Sequence, residues 1–385
     1  MKILLDVRPL ETGNRYRGFG YYIFHLVKNL AQIDQKNQYI LLAHSITNNL
    51  VSTLSKKKNF KFIFIAKPKI RPRFYWWNDL YLLPKIIRQI KPDIFHSMDF
   101  NAPSIRFCKT IVTVHDLIPF IFKGVYLKPI DKNIQARLKF FFAKKADRIL
   151  TDSEYSKKDI LRHFAISAHR VATIPLAVDD DFIPIAKPIQ KKMKQKYSGG
   201  NDFLMYVGDM YGSEPRKRVD WLIEAFARLQ KEEKWQNLKL LLVGQGGGKN
   251  NDYQKLSELA HALKVKNKVI FTGFLEYNEM RKLLGSAKIF VYPSLYEGFG
   301  LPPLQALACG APVVCFDTTS LPEVVDKTGL MVAEDPENLL QGIKKILNNH
   351  ELRDELIKLG LKQAKKFSWG RAARETLKLY EKFNN

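Results

Sequence analysis

Short apolar runs alternate with longer amphipathic segments along most of the chain. In residues 1–178 the apolar runs predict seven strands. They are Lys2–Val7, Tyr39–His44, Phe60–Ile65, Asp93–His96, Lys109–Val114, Arg148–Asp152 and Val171–Ile174. Helical patterns such as Tyr21–Ala31 and Ile130–Asp147 lie between them, and strands separated by helices indicate right-handed crossovers. We therefore expect a parallel sheet with helices on its faces, which is the α/β class.

A second series of alternating elements begins at residue 203. Its predicted strands are Phe203–Val207, Leu238–Val243, Val269–Thr272, Ile289–Tyr292 and Val313–Phe316, with a helix at Val219–Gln230. Between the two series lies a turn-rich and lysine-rich segment, and its run Ser198-Gly199-Gly200-Asn201 indicates a flexible joint. A last helix begins with Ser368 as its N-cap. The pattern therefore predicts two Rossmann-like domains, residues 1–178 and 203–367, joined by a linker, residues 179–202, and followed by a helix, residues 368–385.

Composition indicates a globular chain without membrane spans. The chain has 385 residues, of which 46% are apolar, enough for two hydrophobic cores. No uninterrupted apolar run reaches roughly 18 residues, so no transmembrane helix is predicted. The strand-like start, from Ile3 to Val7, does not resemble a signal peptide. Cys108, Cys309 and Cys315 have no metal or redox spacing and indicate a reducing cytoplasm.

The formal net charge of +25 predicts an anionic partner, such as nucleic acid, anionic lipid or a phosphorylated substrate. Basic and aromatic residues alternate in residues 67–91. From these residues alone three interpretations stay open. The stretch suits a bilayer interface that carries anionic lipid, stacking on single-stranded nucleic acid, or a helix that packs its aromatic side chains inward.

Residues 291–314 combine a strand, a sharp loop, a helix and a second strand. Glu297 lies in the loop among glycines, where the backbone can approach a ligand without a side chain in between. Pro302 and Pro303 open the helix, because the first turn of a helix needs no amide donors there. Gln305 follows Glu297 by eight residues, so the two are predicted to lie close together, about one helical turn apart.

The backbone amides before this helix form a candidate anion site. They lie at the positive end of the helix, where an anion or a sugar oxygen is stabilised. The residues that carry these amides are Gly298, Phe299, Gly300 and Leu301.

Two candidate sites lie in the first half of the chain. Gly18-Phe19-Gly20 opens a helix, and glycine there lets a ligand approach the helix N-terminus. The run is not the dinucleotide fingerprint, because Ile23 occupies the place of the third glycine. His115 ends an apolar run at the carboxyl edge of the predicted sheet, where doubly wound folds bind ligands. Its imidazole can bond a sugar hydroxyl, or it can be a buried histidine that caps the strand.

Three further runs carry charge or glycine. Glu214-Pro215-Arg216-Lys217-Arg218 precedes a helix, so its cations either neutralise a diphosphate or form a solvated basic turn. Residues 244–249 are Gly-Gln-Gly-Gly-Gly-Lys, but Val243 stands where a phosphate loop has its first glycine, so a flexible loop is predicted. Asp179-Asp180-Asp181 lies in the interdomain turn, where capping or turn formation is predicted rather than metal binding.

The segment Glu297-Gly298-Phe299-Gly300-Leu301-Pro302 resembles the donor-binding motif of retaining glycosyltransferase family four, in which seven residues separate two glutamates. The resemblance spans nearly the whole chain. It includes Val114-His115-Asp116-Leu117-Ile118-Pro119, Pro215-Arg216-Lys217, Thr272-Gly273-Phe274-Leu275, Thr151–Lys157 and Ser320–Val324. The chain departs from the family at Gln305, where the second glutamate is expected, and at Asp209, where many members carry an arginine.

The resemblance implies a role for each candidate residue. Glu297 orients the donor sugar, Lys217 binds the diphosphate and His115 lies near the reacting carbon, so these three are the expected catalytic residues. Further donor-binding residues are expected at Gly18, Gly20, Arg216, Gly273, Phe274, Gly298, Phe299, Gly300, Leu301 and Gln305. No metal ligand is expected. An amide at position 305 makes neutral bonds to the ribose in place of charge-assisted ones, a loss of roughly 1 kcal/mol.

The resemblance also implies the GT-B fold, in which two Rossmann-like domains with parallel sheets face each other across a cleft and the last helix crosses back. It implies a metal-independent retaining hexosyltransferase that needs no cofactor beyond its nucleotide-sugar co-substrate. The donor would be GDP-mannose or a UDP-sugar, and the acceptor a lipid-linked or cell-surface glycan. Such a mannosyltransferase-like enzyme would serve polysaccharide biosynthesis for the cell envelope.

Membrane docking through the first domain is frequent in this family, which favours a membrane over nucleic acid as the partner of residues 67–91. We therefore expect a cytoplasmic enzyme that binds peripherally to the inner face of the cell membrane. Two alternatives stay open. One is a catalytically silent nucleotide-binding relative in a membrane polysaccharide assembly, and the other is a nucleotide-sugar epimerase of the same fold.

Overall fold

The computed structural model describes residues 1–11, 18–45, 49–54, 57–67, 75–126, 130–210, 215–244 and 252–384. The chain divides into two compact units. The first comprises Met1–Ala177 together with Ser368–Asn385, and the second comprises Val178–Phe367. The end of the chain thus belongs to the same unit as its beginning.

Seven strands of the described residues form a parallel sheet in the first unit. They are β1 (Lys2–Asp6), β2 (Gln38–Ala43), β3 (Phe60–Phe64), β4 (Ile94–Ser97), β5 (Lys109–Thr113), β6 (Arg148–Thr151) and β7 (Val171–Thr173). Their order is β3-β2-β1-β4-β5-β6-β7. All seven predicted strands are confirmed. The central strands β1, β4 and β5 are almost wholly buried, as expected for parallel strands that are covered on both faces.

Six strands of the described residues form the parallel sheet of the second unit. They are β8 (Phe203–Val207), β9 (Lys239–Val243), β10 (Val269–Gly273), β11 (Ile289–Tyr292), β12 (Val313–Phe316) and β13 (Leu330–Val332). Their order is β10-β9-β8-β11-β12-β13. Five of these strands were predicted. The pattern missed β13 because this edge strand has only three residues, each half-buried.

Helices separate most of the strands and flank both sheets. Those of the first part of the chain are α1 (Gly18–Ile33), α2 (Asn49–Leu54), α3 (Tyr75–Ile90), α4 (Ile118–Ile121), α5 (Lys123–Tyr126), α6 (Ile130–Lys144) and α7 (Glu154–Phe164). Those that follow are α8 (Lys187–Ser198), α9 (Val219–Leu229), α10 (Asp252–Ala262), α11 (Tyr277–Leu284), α12 (Leu301–Ala308), α13 (Leu321–Val325), α14 (Pro336–Asn348), α15 (His350–Ala364) and α16 (Trp369–Asn384).

The lysine-rich segment 179–202 was predicted to be a turn-rich linker, and residues 187–198 of it are instead the helix α8. Met193 is buried while most lysines of α8 are exposed, so the helix has an apolar side that packs within the second unit, against α11, β9 and β10. Lysine is a good helix former, and the prediction of a linker gave this helix propensity too little weight. Gly199, which was assigned to a flexible joint, ends α8 in the left-handed conformation at φ 63°.

The helix α16 packs along α1 within the first unit. Trp369 of α16 stacks on His25 of α1 with ring centroids 5.3 Å apart. Further along α16, the Tyr380 hydroxyl lies 2.6 Å from Nδ1 of the buried His96. The last helix is therefore part of the core of the first unit.

Both sheets have a point where the strand order reverses, and parallel α/β sheets bind ligands beside the carboxyl ends of the strands at such points. In the first sheet this point lies between β1 and β4, and in the second between β8 and β11. The loops that leave these strands are therefore the places where chemistry is expected in each unit.

Candidate active site

The loop between β11 and α12 holds Glu297, whose backbone is fixed by the loop that follows β12. The N–H of Glu297 donates to Oγ1 of Thr319 at 3.1 Å, and its carbonyl oxygen accepts from Oγ of Ser320 at 3.0 Å. Thr318 also donates to the carbonyl oxygen of Ser294 at 2.9 Å. Two neighbouring strands thus end in loops that brace each other, and the brace sets the position of Glu297.

The Glu297 carboxylate is anchored through one of its oxygens. Oε1 accepts from Lys217 Nζ at 2.6 Å and from Arg216 Nη1 at 2.8 Å. It also accepts from the hydroxyls of Ser294 at 2.5 Å and Tyr292 at 3.1 Å. The five side chains form what we call the Glu297 cluster. All of its members are buried.

The two cations of the Glu297 cluster come from a single turn of 3-10 helix, Pro215–Lys217, that precedes α9. A backbone hydrogen bond from Leu295 N to Arg216 O, 2.7 Å long, joins this turn to the loop of Glu297. Lys217 Nζ also donates to the Tyr292 hydroxyl at 2.6 Å, and Arg216 Nη1 to the carbonyl oxygen of Tyr296 at 2.6 Å. The segments that follow β8 and β11 therefore meet where the strand order reverses.

The charges of the Glu297 cluster determine its protonation. Burial alone raises the pKa of Glu297, but the positive charges of Arg216 and Lys217 outweigh it and lower that pKa to about 2. Burial, together with the Glu297 charge, raises the pKa of Tyr292 well above its ordinary value. One carboxylate thus faces two cations, and the cluster has a net positive charge at neutral pH.

The start of α12 lies directly after Glu297. Gly300 is its N-cap at φ 108°, a backbone conformation that favours glycine, and a Cβ there would also approach Leu321 Cδ2 to 2.9 Å, so that this side chain would have to shift. Pro302 and Pro303 have no N–H, so the amides at this end belong to the residues before them. Gln305 lies in α12 and is buried.

The remaining donor-binding candidates of the second unit lie near the same carboxyl edge. Gly273 ends β10 at φ 73°, and its N–H donates to the Tyr253 hydroxyl at 3.1 Å. Phe274 follows and is 46% exposed. Gly298 and Phe299 are buried, and the ring of Phe299 packs on Phe367 at 5.8 Å.

In the first unit, His115 lies just beyond the end of β5 and is buried. Its Nδ1 is 2.7 Å from Oδ2 of Asp152, and its Nε2 is 3.3 Å from the carbonyl oxygen of Met98. Burial lowers the pKa of His115, but the charge of Asp152 and its hydrogen bond outweigh burial, so the pKa lies above its usual value. The imidazole is therefore held from both ring nitrogens.

The glycine run at the start of α1 lies beside this histidine. Phe19, between Gly18 and Gly20, has its ring centroid 4.8 Å from that of His115, and Tyr22 makes an edge contact at 4.8 Å. The structure thus brings together the two candidate sites of the first half of the chain.

The sequence analysis missed several side chains of the candidate site. Tyr292, Ser294, Thr319 and Asp152 were not assigned a role, although each directly contacts a predicted residue. One signal was present: each follows or ends a strand at the carboxyl edge of its sheet. Arg218 stacks over Trp221 at 3.6 Å and pairs with Asp220, so it is engaged away from Glu297.

Some predictions fall on residues that the structure does not describe. The glycine-rich loop 245–249, Glu214 and residues 68–74 of the basic aromatic stretch lie outside the described residues. In the part of the chain that is described, no helix is long and apolar enough to cross a membrane. Asp179 accepts a turn hydrogen bond from Phe182 N at 2.9 Å.

Sequence comparisons place this site in a known family. The sequence model described as Glycosyltransferase Family 4 matches residues 16–182, and the one described as Glycosyl transferases group 1 matches residues 189–363. The O-antigen chain mannosyltransferase B of Escherichia coli is 30% identical over 99% of this chain and 100% of its own length. The serotype-specific mannosyltransferase WbdA of Escherichia coli is 33% identical over 74% of this chain and 36% of its own length.

A structural comparison addresses the fold. The crystal structure of Anabaena HepE in complex with UDP and glucose matches with a TM-score of 0.77, covers 99% of both chains and is 16% identical. This likeness confirms the predicted fold class, GT-B, with its two parallel α/β sheets.

Replacing Glu297 by glutamine should destabilise the second unit at neutral pH by about 3 kcal/mol, because two buried cations lose their carboxylate. The pKa of Glu297 falls from 4.5 to about 2 on folding. The stabilisation is therefore complete above pH 4.5 and is lost as the pH falls towards 2. Thermal unfolding should give a lower unfolding temperature for Glu297→Gln than for wild type at neutral pH, and this difference should become smaller as the pH falls from 4.5 towards 2.

The control for this experiment is Glu334→Gln, which changes an exposed glutamate of the same unit. It should leave the unfolding temperature near that of wild type at every pH. A difference between Glu297→Gln and wild type that stays constant from neutral pH to pH 2 would contradict the assignment of the charge to Glu297.

Proposed function

Since the chain belongs to glycosyltransferase family 4, we propose that it transfers a hexosyl group from a nucleotide-diphosphate sugar to a glycan acceptor, with retention of the anomeric configuration. The observation that carries this proposal is the Glu297 cluster, with its two cations beside the start of α12. A diphosphate leaving group needs fixed positive groups where its charge develops, and this cluster supplies them.

Lys217 is the group that meets the departing diphosphate. An ammonium carries three N–H donors, so Lys217 can keep Glu297 and turn a donor towards a phosphate oxygen. The amides at the start of α12, from Gly298 to Leu301, add the positive end of the helix. Arg216 keeps the carboxylate in place when Lys217 turns, because its Nη1 bonds both Glu297 and the backbone of Tyr296.

Glu297 orients the donor sugar through its second oxygen. Among the described residues, the donors of the cluster all bond Oε1, so we assign the sugar hydroxyls to Oε2. Gln305 contacts the ribose, and Gly273 and Phe274 contact the base. In the first unit, His115 contacts the sugar near its reacting carbon, and Gly18 and Gly20 let the ligand approach α1.

The substitution proceeds on one face of the sugar through an oxocarbenium-like transition state. A two-step scheme would need a second carboxylate as nucleophile, and the proposal assigns that role to no residue. Lys217 and the backbone amides meet the diphosphate charge, so the proposal includes neither a metal ion nor a cofactor besides the co-substrate. A single-turnover assay of the products separates transfer from epimerisation and from silent binding.

Mannose is the proposed hexose, supplied as GDP-mannose, with a UDP-sugar as the second candidate. The support comes from the relatives described as O-antigen chain mannosyltransferase B and mannosyltransferase WbdA. The proposed acceptor is a lipid-linked or cell-surface glycan of the cell envelope. This acceptor implies that the enzyme works at the inner face of the cell membrane.

An exposed face of the first unit supports peripheral docking on anionic lipid. Leu83 and Ile87 of α3 pack into the core, while Tyr81 is 74% exposed beside the exposed Lys85 and Arg88. Arg88 lies 5.9 Å from the ring of Phe107, which is 49% exposed. Exposed aromatic rings with flanking cations suit an interface with acidic headgroups. We propose a membrane, rather than nucleic acid, as the partner of this surface.

Lys217→Ala should lower the turnover number for sugar transfer by on the order of a hundredfold, because the departing diphosphate loses its cation. Steady-state kinetics with GDP-mannose and a glycan acceptor measure the effect. The matched control is Lys288→Ala. Lys288 pairs with Asp202 and lies just before β11, at the end of that strand opposite to Tyr292 and the Glu297 cluster. Near wild-type turnover for Lys217→Ala would remove Lys217 from the diphosphate site.

Gln305→Glu should tighten the binding of a nucleoside diphosphate several-fold, by about 1 kcal/mol, because a carboxylate makes charge-assisted bonds to ribose hydroxyls. Titration calorimetry measures the dissociation constant for both proteins. Weaker binding by Gln305→Glu would show that this position serves something other than a ribose contact.

The double variant Tyr81→Ser with Phe107→Ser should bind less to vesicles rich in phosphatidylglycerol, because it removes two rings from the docking face. Co-flotation at physiological salt measures the bound fraction. The control is Ile183→Ser, which changes an apolar residue of the second unit that is 53% exposed. Equal flotation of wild type and double variant, or no flotation of wild type, would refute docking through this face.

A further inference from the structure

Asp152 contacts His115 directly, although 36 residues separate the two along the chain. Asp152 follows β6 and His115 lies just past β5, and these strands are neighbours in the sheet. Asp152 is buried, and its Oδ2 lies 2.7 Å from Nδ1 of the imidazole. The pairing therefore results from the strand order rather than from a local motif.

Both ring nitrogens of His115 face acceptors. Nδ1 faces the Asp152 carboxylate, and Nε2 faces the carbonyl oxygen of Met98 at 3.3 Å. A carbonyl oxygen only accepts, and so does an ionised carboxylate. Burial raises the pKa of Asp152, while the charge of His115 and its hydrogen bond lower it, and we take the carboxylate as ionised at neutral pH because it pairs with the ring. Two acceptors are satisfied together when both ring nitrogens carry a proton, which makes the ring an imidazolium balanced by the carboxylate.

The surroundings fix the ring as well as its protons. Phe19 and Tyr22 contact it from α1, with ring centroids 4.8 Å away in each case. Ser156 Oγ of α7 donates to the carbonyl oxygen of His115 at 3.2 Å. The first turn of α7 is itself capped by Ser153, next to Asp152. A side chain that is held from this many directions has a defined orientation.

The other charged groups near the ring also favour its charged form. Asp99 and Asp116 both raise the pKa of His115, in addition to Asp152. The nearby His96 stays neutral, because burial lowers its pKa to about 3. His96 contacts the hydroxyls of Tyr380 and Thr113, at 2.6 and 2.8 Å, and these can match a neutral ring. Of the two histidines, the proton belongs on His115.

We propose that Asp152 is a positioning residue: it holds His115 as a hydrogen-bond donor at both ring nitrogens, so that His115 donates to the substrate and does not act as a base. The role of His115 towards the sugar rests on the proposed function above. When substrate binds, Nε2–H moves from the Met98 carbonyl to an oxygen of the donor. Transfer with inversion would need a base that removes the proton from the attacking hydroxyl of the glycan acceptor, and an imidazolium cannot act as a base.

The wild-type protein tests the protonation directly. Long-range ¹H–¹⁵N NMR spectra of histidine-labelled full-length protein report whether each ring nitrogen carries a proton, and the His115→Gln spectrum identifies the signals. We expect two protonated nitrogens for His115 at neutral pH. A neutral ring, with one nitrogen lacking its proton, would overturn the proposal.

Asp152→Asn tests the positioning. The isosteric amide should lower the midpoint of the His115 titration by about one pH unit or more, because the ring loses a charged partner. The turnover number should fall about 10- to 100-fold while KM for the donor changes little. An unchanged titration of His115 together with unchanged turnover would overturn the proposal. Lower turnover with an unchanged midpoint of the His115 titration would show a purely structural role for Asp152 and would overturn it as well.

The matched control is Asp147→Asn. Asp147 lies just before β6 and Asp152 just after it, so the two aspartates flank the same strand at opposite ends. In the wild-type protein Asp147 accepts from Thr110 N and pairs with Arg106. The variant Asp147→Asn should leave both the His115 signals and the turnover number near those of wild type. If wild type transfers no sugar from any nucleotide donor, the proposed function fails, while the NMR measurement still decides the state of the His115–Asp152 pair.

Discussion

One carboxylate oxygen, Oε1 of Glu297, organises the site in the second unit. It accepts from Lys217, Arg216, Ser294 and Tyr292, and these donors come from two segments that follow different strands. A buried carboxylate is costly unless it is paired and hydrogen-bonded. Here two cations satisfy it, and the excess positive charge stays beside the start of α12. In the proposed function, the same contacts that stabilise the loop also hold the cations that meet the diphosphate.

The first unit uses a buried charge in a different way. His115 and Asp152 satisfy each other, so this pair has no net charge and serves to orient a ring. The Glu297 cluster has a net positive charge and serves to attract an anion. The Glu297 cluster lies where the strand order of the second sheet reverses, whereas His115 and Asp152 follow β5 and β6, beside the strand β4 that borders the reversal of the first sheet. Both positions lie at the carboxyl edge of a parallel sheet, and the side chains give them different electrostatics.

The alternation of strands and helices was predictable because apolar runs of parallel strands are continuous and buried, as in β4 and β11. The helix α8 was not predictable in this way, because a lysine-rich segment is also typical of a solvated linker. The burial of Met193, which only the structure shows, distinguishes the two. Resemblance to a family identified Glu297 and Lys217. It covered Asp152, within Thr151–Lys157, but gave it no role, because the contact with His115 depends on the pairing of β5 with β6, which a single sequence does not reveal.

The most direct test is a crystal structure of the chain with an intact nucleotide-diphosphate sugar bound. The account predicts that Lys217 Nζ lies within hydrogen-bond distance of a phosphate oxygen while Arg216 still holds Oε1 of Glu297, and that a sugar hydroxyl lies on Oε2. A diphosphate bound away from Lys217, with the Glu297 cluster unchanged and no sugar contact to Glu297, would contradict it.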